Sequence, residues 1–170
     1  ILGGNSGSYG GNIAVAKTGA KLIVTGGKIE NGTAATHGGN ICVALGSVEI
    51  TGGEILGGSA TRFGSSVSLV NDIVATIADV SISAGQVYAR NSGGLTLGGK
   101  VSISDLHLLG IKLLMSEDQP LQNANIAIGM ETPGIFMDAV KTDISEFFTS
   151  TDSTYDVVLE SEQLKLVSNI

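Results

Sequence analysis

The chain has 170 residues, 25 glycines, two prolines, one cysteine and a formal net charge of −7. Hydrophobic residues make up 42% of it, which excludes a low-complexity disordered chain despite the glycine, and the length is that of one domain able to bury a core. The acidic balance and the lack of a basic run exclude a nucleic-acid partner, a lone cysteine excludes an internal disulfide framework, and no apolar run reaches the ~18 residues of a membrane span.

The first hundred residues are written in repeated words. Ile1, Ile29 and Ile55 open ILGG, IENG and ILGG, at intervals of 28 and 26 residues. Five residues after each closing glycine stands a ring, Tyr9, His37 or Phe63, and then Gly10, Gly38 or Gly64. GGNI follows twice, at residues 10–13 and 38–41, and TGGKI and TGGEI close the first two units at 25–29 and 51–55. Between these words short stretches alternate, with Ile13 and Val15, Leu22 and Val24, then Ile29 in the first unit. Ile41 and Val43, Val48 and Ile50, then Ile55 repeat the pattern in the second. Alternation of period two over three to five residues predicts strands. Three strands per 26 to 28 residues, joined by glycine corners, predict one rung of a parallel β-solenoid in which Ile13 rests on Ile41 and Val24 on Ile50. The two-residue difference between the units falls in the turn AKTGAK against ALGS, where a loop tolerates it.

Corner positions repeat as well. Asn12 and Asn40 share one stacked position, continued by Ser66 and Gln86; Thr25 and Thr51 share another, continued by Ser83. Polar ladders that satisfy turn backbone groups are the preferred reading of both. Cys42, within an alternating ICVA stretch, reads as a small strand side chain rather than a nucleophile.

The next units drift. GSSVSLVNDIVATIADVSIS places Val67, Leu69, Ile77, Val80 and Ile82 inward, and QVYARNSGGLTLGGKVSIS places Val87, Ala89, Leu95, Leu97, Val101 and Ile103 inward. A fifth unit follows with Leu108, Ile111, Leu113, Ile126 and Ile128. Twenty-two of the glycines lie in residues 1–100, and the charge balance changes from +1 (six basic, five acidic) to −8 (three basic, eleven acidic) beyond that point. Residues 1–130 are therefore read as about five rungs and 131–170 as a C-terminal cap. In the cap, Asp143 and Glu146 before Phe147 and Phe148 predict a short capped helix. Tyr155, Val157 and Leu159 set against Leu164, Leu166 and Ile170 across ESEQ predict a hairpin. The chain begins with Ile1 and is read as a piece of a longer polypeptide.

GGNI(A/C)VA, LIVTGGKI, VEITGGEI, GGLTLGGKVSIS and NANIAIGMETPGIF with the closing YDVVLESEQLKLV resemble the parallel β-helix domains of large secreted or wall-attached proteins of anaerobic, gut-type bacteria, members of the pectin-lyase-like superfold. The resemblance covers nearly the whole chain. It implies an all-β, right-handed parallel β-helix and an extracellular or cell-surface location, but its relatives range from adhesins and tailspikes to polysaccharide lyases.

Chemistry-bearing motifs are sparse. GLTLGGK at residues 94–100 satisfies part of a phosphate loop, yet Val101 stands where the Mg²⁺-binding hydroxyl belongs and no helix follows. A polysaccharide lyase or glycoside hydrolase needs paired carboxylates or a carboxylate with a cation. The repeat region offers Glu30, Glu49, Glu54, Asp72 and Asp79 with Arg62 and Arg90, and no two carboxylates stack, since Glu30 faces Leu56 and Glu49 faces Ile23. His37 and His107 lack metal-ligand spacing, so neither a metal nor a cofactor is expected. Tyr9, His37 and Phe63 remain the candidate binding residues, able to stack on a glycan or a surface protein, with sealing of the solenoid edge as the plainer role. The expected function is a non-catalytic display or adhesion segment, with a polysaccharide-active enzyme and a purely structural spacer as alternatives.

Overall fold

A computed structural model describes residues 1–71, 73–90 and 93–170. Among these the chain is all-β, with a 16-stranded sheet, a second sheet of three short strands and a single 3₁₀ turn. Strand pairs are parallel throughout except at the C-terminal hairpin, where Tyr155–Glu160 and Ile135–Met137 each pair antiparallel to Gln163–Ser168. The only long parallel alternative to a crossover helix is a chain that returns to the same edge once per repeat, and the register shows that return.

Three columns of pairing run through the molecule. The first holds residues 13–15 of strand Ile13–Val24, 41–43 of Ile41–Ile50, Val67–Val70, Val87–Arg90, and the later parts of Ser102–Leu108 and Asn125–Met130. The second holds residues 21–24, residues 47–50, Val74–Ala78, Leu95–Gly98, Leu113–Met115 and Ile135–Met137. The third runs through Lys28–Glu30, Gly53–Leu56, Val80–Ser83, residues 102–103 and 125–126, and ends on Phe148–Ser150.

Ile13 lies opposite Ile41, Val24 opposite Ile50 and Ile29 opposite Ile55, as the repeated words require. The offset is 28 residues at Ile13 and 26 at Lys21, which pairs with Ser47, so the turn between them absorbs the length difference. Like side chains then form continuous aliphatic rows. Ile41, Val67, Val87, Leu106 and Ile128 are all at most 1% exposed, and each such burial contributes about 1.5 to 3 kcal/mol before entropy is counted. The inward positions expected in the drifting units are buried, save that Ile111 is half-buried.

The paired glycines have two separate causes. Gly38 sits at φ +64°, and a Cβ there would strike the backbone of Ile41 and the side chain of Cys42. Gly39 is held by the next level, because a Cβ on it would overlap the carbonyl oxygen of Ser65 and the amide of Ser59. One glycine is needed for the turn and the other for the close approach of a neighbouring chain.

Several expectations change. Ser83 lies opposite Leu56 rather than on the threonine row, because the third column is in register from Val80 with Gly53 onward. The expected cap helix is a 3₁₀ turn, Ser145–Phe147, whose first residue is preceded by Ile144 with no side-chain cap. The Asp143 carboxylate accepts from the amide and hydroxyl of Ser145, at 3.0 and 2.7 Å, and this local turn competes with a capping box. The hairpin pairs Val157 with Leu166 and Leu159 with Leu164, but Ile170 lies past its end and is 98% exposed. Its two-residue turn, Ser161 and Glu162, takes positive φ at both positions, 51° and 59°, the twist that hairpins favour. Leu164 and Leu166 join the same core as Phe136 and Phe148, so the hairpin covers the end of the aliphatic rows and leaves fewer open strand edges there.

Candidate functional site

The first three returns of the chain carry a small outer arm, paired as Asn5–Ser6, Thr33–Ala34 and Ser59–Ala60. Each arm ends on a ring. Tyr9 bridges to His37 and His37 to Phe63 in parallel register, and the rings stack at 5.7 and 5.6 Å with interplanar angles of 5° and 10°. The sequence brings these three together and the structure keeps them together.

The row is longer than the repeat words indicate. Phe63 stacks on Tyr88 at 4.5 Å, and Tyr88 on His107 at 5.8 Å, giving five rings in one line. Tyr88 and His107 reach it by a different route. They belong to the first column, where Tyr88 pairs with Ser68 on one side and His107 on the other, and their side chains leave the strand on the face opposite the core. The later returns lack the outer arm, so the strand itself supplies the ring. Spacings of 25 and 19 residues, outside the 28 and 26 of the repeat, hid them from a search by interval, although an aromatic at an outward position of QVYAR was a visible signal.

Exposure divides the row. Tyr9 and Phe63 are 46% and 43% exposed, His37 and His107 are half-buried, and Tyr88 is 3% exposed. The rings therefore both cover the outward positions of the first column, where Cys42 and Ser68 are 1% and 0% exposed, and present edges to solvent. His37 Nδ1 and Ser68 Oγ are buried without a hydrogen-bond partner. Burial, and then the charge of Arg62, hold the His37 imidazole below its ordinary pKa, so it is neutral at pH 7. Burial pushes the Cys42 thiol up to about 11, which leaves it a poor nucleophile.

Beside the rings runs the amide row. Asn12 Nδ2 donates to Asn40 Oδ1 at 2.8 Å, and Asn40 Nδ2 donates to Ser66 Oγ at 3.2 Å and to the Gly57 carbonyl at 2.9 Å. The oxygens accept from the arm: Gly4 N–H reaches Asn12 Oδ1 at 2.7 Å and Gly32 N–H reaches Asn40 Oδ1 at 2.9 Å. This explains why IxxG and GGN recur together, since each amide fastens one arm to one corner. Gln86 extends the line, accepting from Gly64 N–H at 3.4 Å and donating to Asp105 at 3.2 Å. Thr25 and Thr51 sit on consecutive levels, with Thr51 N–H donating to the Val24 carbonyl at 2.8 Å. Among the described residues no bond joins their hydroxyls.

The carboxylates weighed for catalysis are engaged singly. Lys21 pairs with Glu49 at 2.6 Å, and Lys28 with Glu30 and Glu54 at 2.8 and 3.7 Å. Asp79 accepts from Lys100 N–H at 2.8 Å, so in GLTLGGK a carboxylate takes the amide that a phosphate would need. Asp72 lies outside the described residues. Among the described residues no group of three His, Cys, Asp or Glu could hold a metal ion, and no helix is long and apolar enough to cross a membrane. Compared with known protein families, curated proteins and solved structures, the chain gives no match.

Proposed function

We propose that the chain is a stretch of right-handed parallel β-helix and serves as a non-catalytic display or adhesion segment of an extracellular bacterial surface protein, contacting a glycan or a surface protein through Tyr9, His37 and Phe63. The single observation that carries this reading is the ring row: aromatic faces aligned at near-constant spacing, with Tyr9 and Phe63 each exposed over more than two fifths of their surface. Exposed aromatics in series suit the apolar faces of successive sugar rings. The three-column parallel register supports the β-helix, and the resemblance of the repeat words supplies the surface location.

The lysine pairing of Glu30, Glu49 and Glu54 weakens the enzymatic reading, because neither a second carboxyl nor an arginine stands across a groove from any of them. A glycan array probed with the chain, and with Tyr9, His37 and Phe63 replaced together by alanine, tests the proposal. Binding by the parent and its loss in the triple variant are expected. Release of unsaturated uronates from pectin or alginate would overturn it in favour of a lyase, and an array with no hits would favour a structural spacer.

A further inference from the structure

The ring row stops at His107 for a specific reason. In the first column the residue opposite His107 on the next strand is Gly129, which contributes no side chain, and the level beyond it carries Thr151, whose N–H donates to the Ile128 carbonyl at 2.9 Å. One face of the His107 imidazole rests on Tyr88. The other borders a cavity of about 230 Å³ lined by His107, Gly129, Ser150, Thr151, Asp152 and Tyr155. A Cβ built on Gly129 would lie 3.3 Å from His107 Nδ1 and 2.6 Å from Thr151 Oγ1, so the imidazole edge and the hydroxyl both address the level that glycine leaves open.

We propose that this cavity binds a single neutral pyranose ring, seated on the free face of His107 at the level of Gly129, with its hydroxyls toward Ser150, Thr151 and Asp152. Three features select that ligand. The volume falls below the ~300 Å³ at which pockets for drug-sized ligands begin, which suits one ring rather than an oligosaccharide. The floor continues a stack in which neighbouring faces lie 4.5 to 5.8 Å apart, and a sugar's C–H face can take the next place in that series. The rim is polar and its surroundings are acidic: residues 131–170 carry two lysines against eight carboxylates, a balance of −6. Asp152 Oδ1 accepts from the amide and hydroxyl of Thr154 at 2.9 and 2.8 Å, bonds that keep the carboxyl below its usual range. Its other oxygen has no partner among the described residues. An ionised carboxylate accepts from sugar hydroxyls and repels a uronate or another acidic sugar.

The inference rests on the glycan-contact reading for its ligand class, but its residues lie at the opposite end of the ring row from Tyr9. Saturation-transfer NMR on the full 170-residue chain with glucose, galactose, N-acetylglucosamine and glucuronic acid tests it. Transfer to at least one neutral sugar and none to glucuronic acid is expected. His107→Ala is expected to cut the signal at least fivefold, with an unchanged far-UV spectrum as the check on folding. Gly129→Leu is a second variant that fills the cavity against flexible side-chain tips and is expected to abolish transfer even if His107→Ala fails to fold. No transfer to any neutral sugar, equal transfer to glucuronic acid, or full transfer in Gly129→Leu would each overturn the proposal. Loss of array binding only on replacing Tyr9, His37 and Phe63, with no saturation transfer at this cavity, would sink this inference and leave the row-contact reading standing.

Discussion

The first and second returns of the chain are spelled almost alike and yet live in different environments. Ile13, Val15, Leu22 and Val24 are half-buried, whereas their partners Ile41, Val43, Val48 and Ile50 are at most 2% exposed. Asn12 is partly accessible and its counterpart Asn40 is fully buried. The local sequence sets strand, corner and inward face, but the amount of surface removed from water depends on having a neighbour on each side. The first return has one neighbour in the structure and the second has two. Identical words therefore carry unequal energy.

Matched substitutions turn that inequality into measurements. Ile41→Ala is expected to destabilise by about 2 to 5 kcal/mol, as buried large-to-small changes do. Ile13→Ala is expected to cost about half as much or less, and urea unfolding of the two variants gives the comparison directly. Similar losses at both sites would mean that the first return is covered in solution.

Next in size is the amide pair. Asn40→Ala leaves Gly32 N–H, Asn12 Nδ2 and the Gly57 carbonyl without partners. At about 1 to 3 kcal/mol for a buried group left unpaired, the loss should reach about 3 kcal/mol or more. Asn12→Ala should cost about 1 kcal/mol, because water reaches Gly4 and Glu30 in its place.

A smaller effect of opposite sign is expected at His37. Its imidazole is depressed by burial and by Arg62, so the folded state resists protonation. The stability this contributes is complete above the unfolded pKa of about 6.5 and is lost as pH falls through the lower folded value. His37→Phe should remove that acid sensitivity, retain the stack and relieve the unpartnered Nδ1, for a gain of about 1 kcal/mol. Thermal melts of both proteins at pH 5 and pH 7.5 check the sign.

Cys42 gives the last contrast. At 1% exposure and with its thiol raised to about 11, it should not react with a thiol reagent at pH 8 until the protein unfolds. Ala14 holds the same position on the first return and is exposed, so Ala14→Cys should react within seconds.

How much of this was readable in advance follows from the same asymmetry. Columns were legible, because an aliphatic must recur wherever it lies on an aliphatic, and the Ile13 to Ile41 and Val24 to Ile50 pairs follow from spacing alone. Tyr9, His37 and Phe63 were legible for the same reason. Tyr88 and His107 were not, because the row changes from arm residues to strand residues once the arm is lost, and interval carries no information across that change. Ser83 looked like the next threonine-row member by its word, SIS, but the third column aligns it with Leu56. The cavity beside His107 depends on what Gly129 lacks and on where residues 150–155 fold back, which no local pattern records.

Methyl-to-methyl nuclear Overhauser spectra of selectively labelled protein test the stacking most directly. Cross-peaks joining Ile13 with Ile41, Ile50 with Ile77 and Ile55 with Ile82 are expected, since each pair sits opposite in parallel register. Their absence, or cross-peaks that instead fit antiparallel neighbours such as Ile13 with Leu22, would contradict the account.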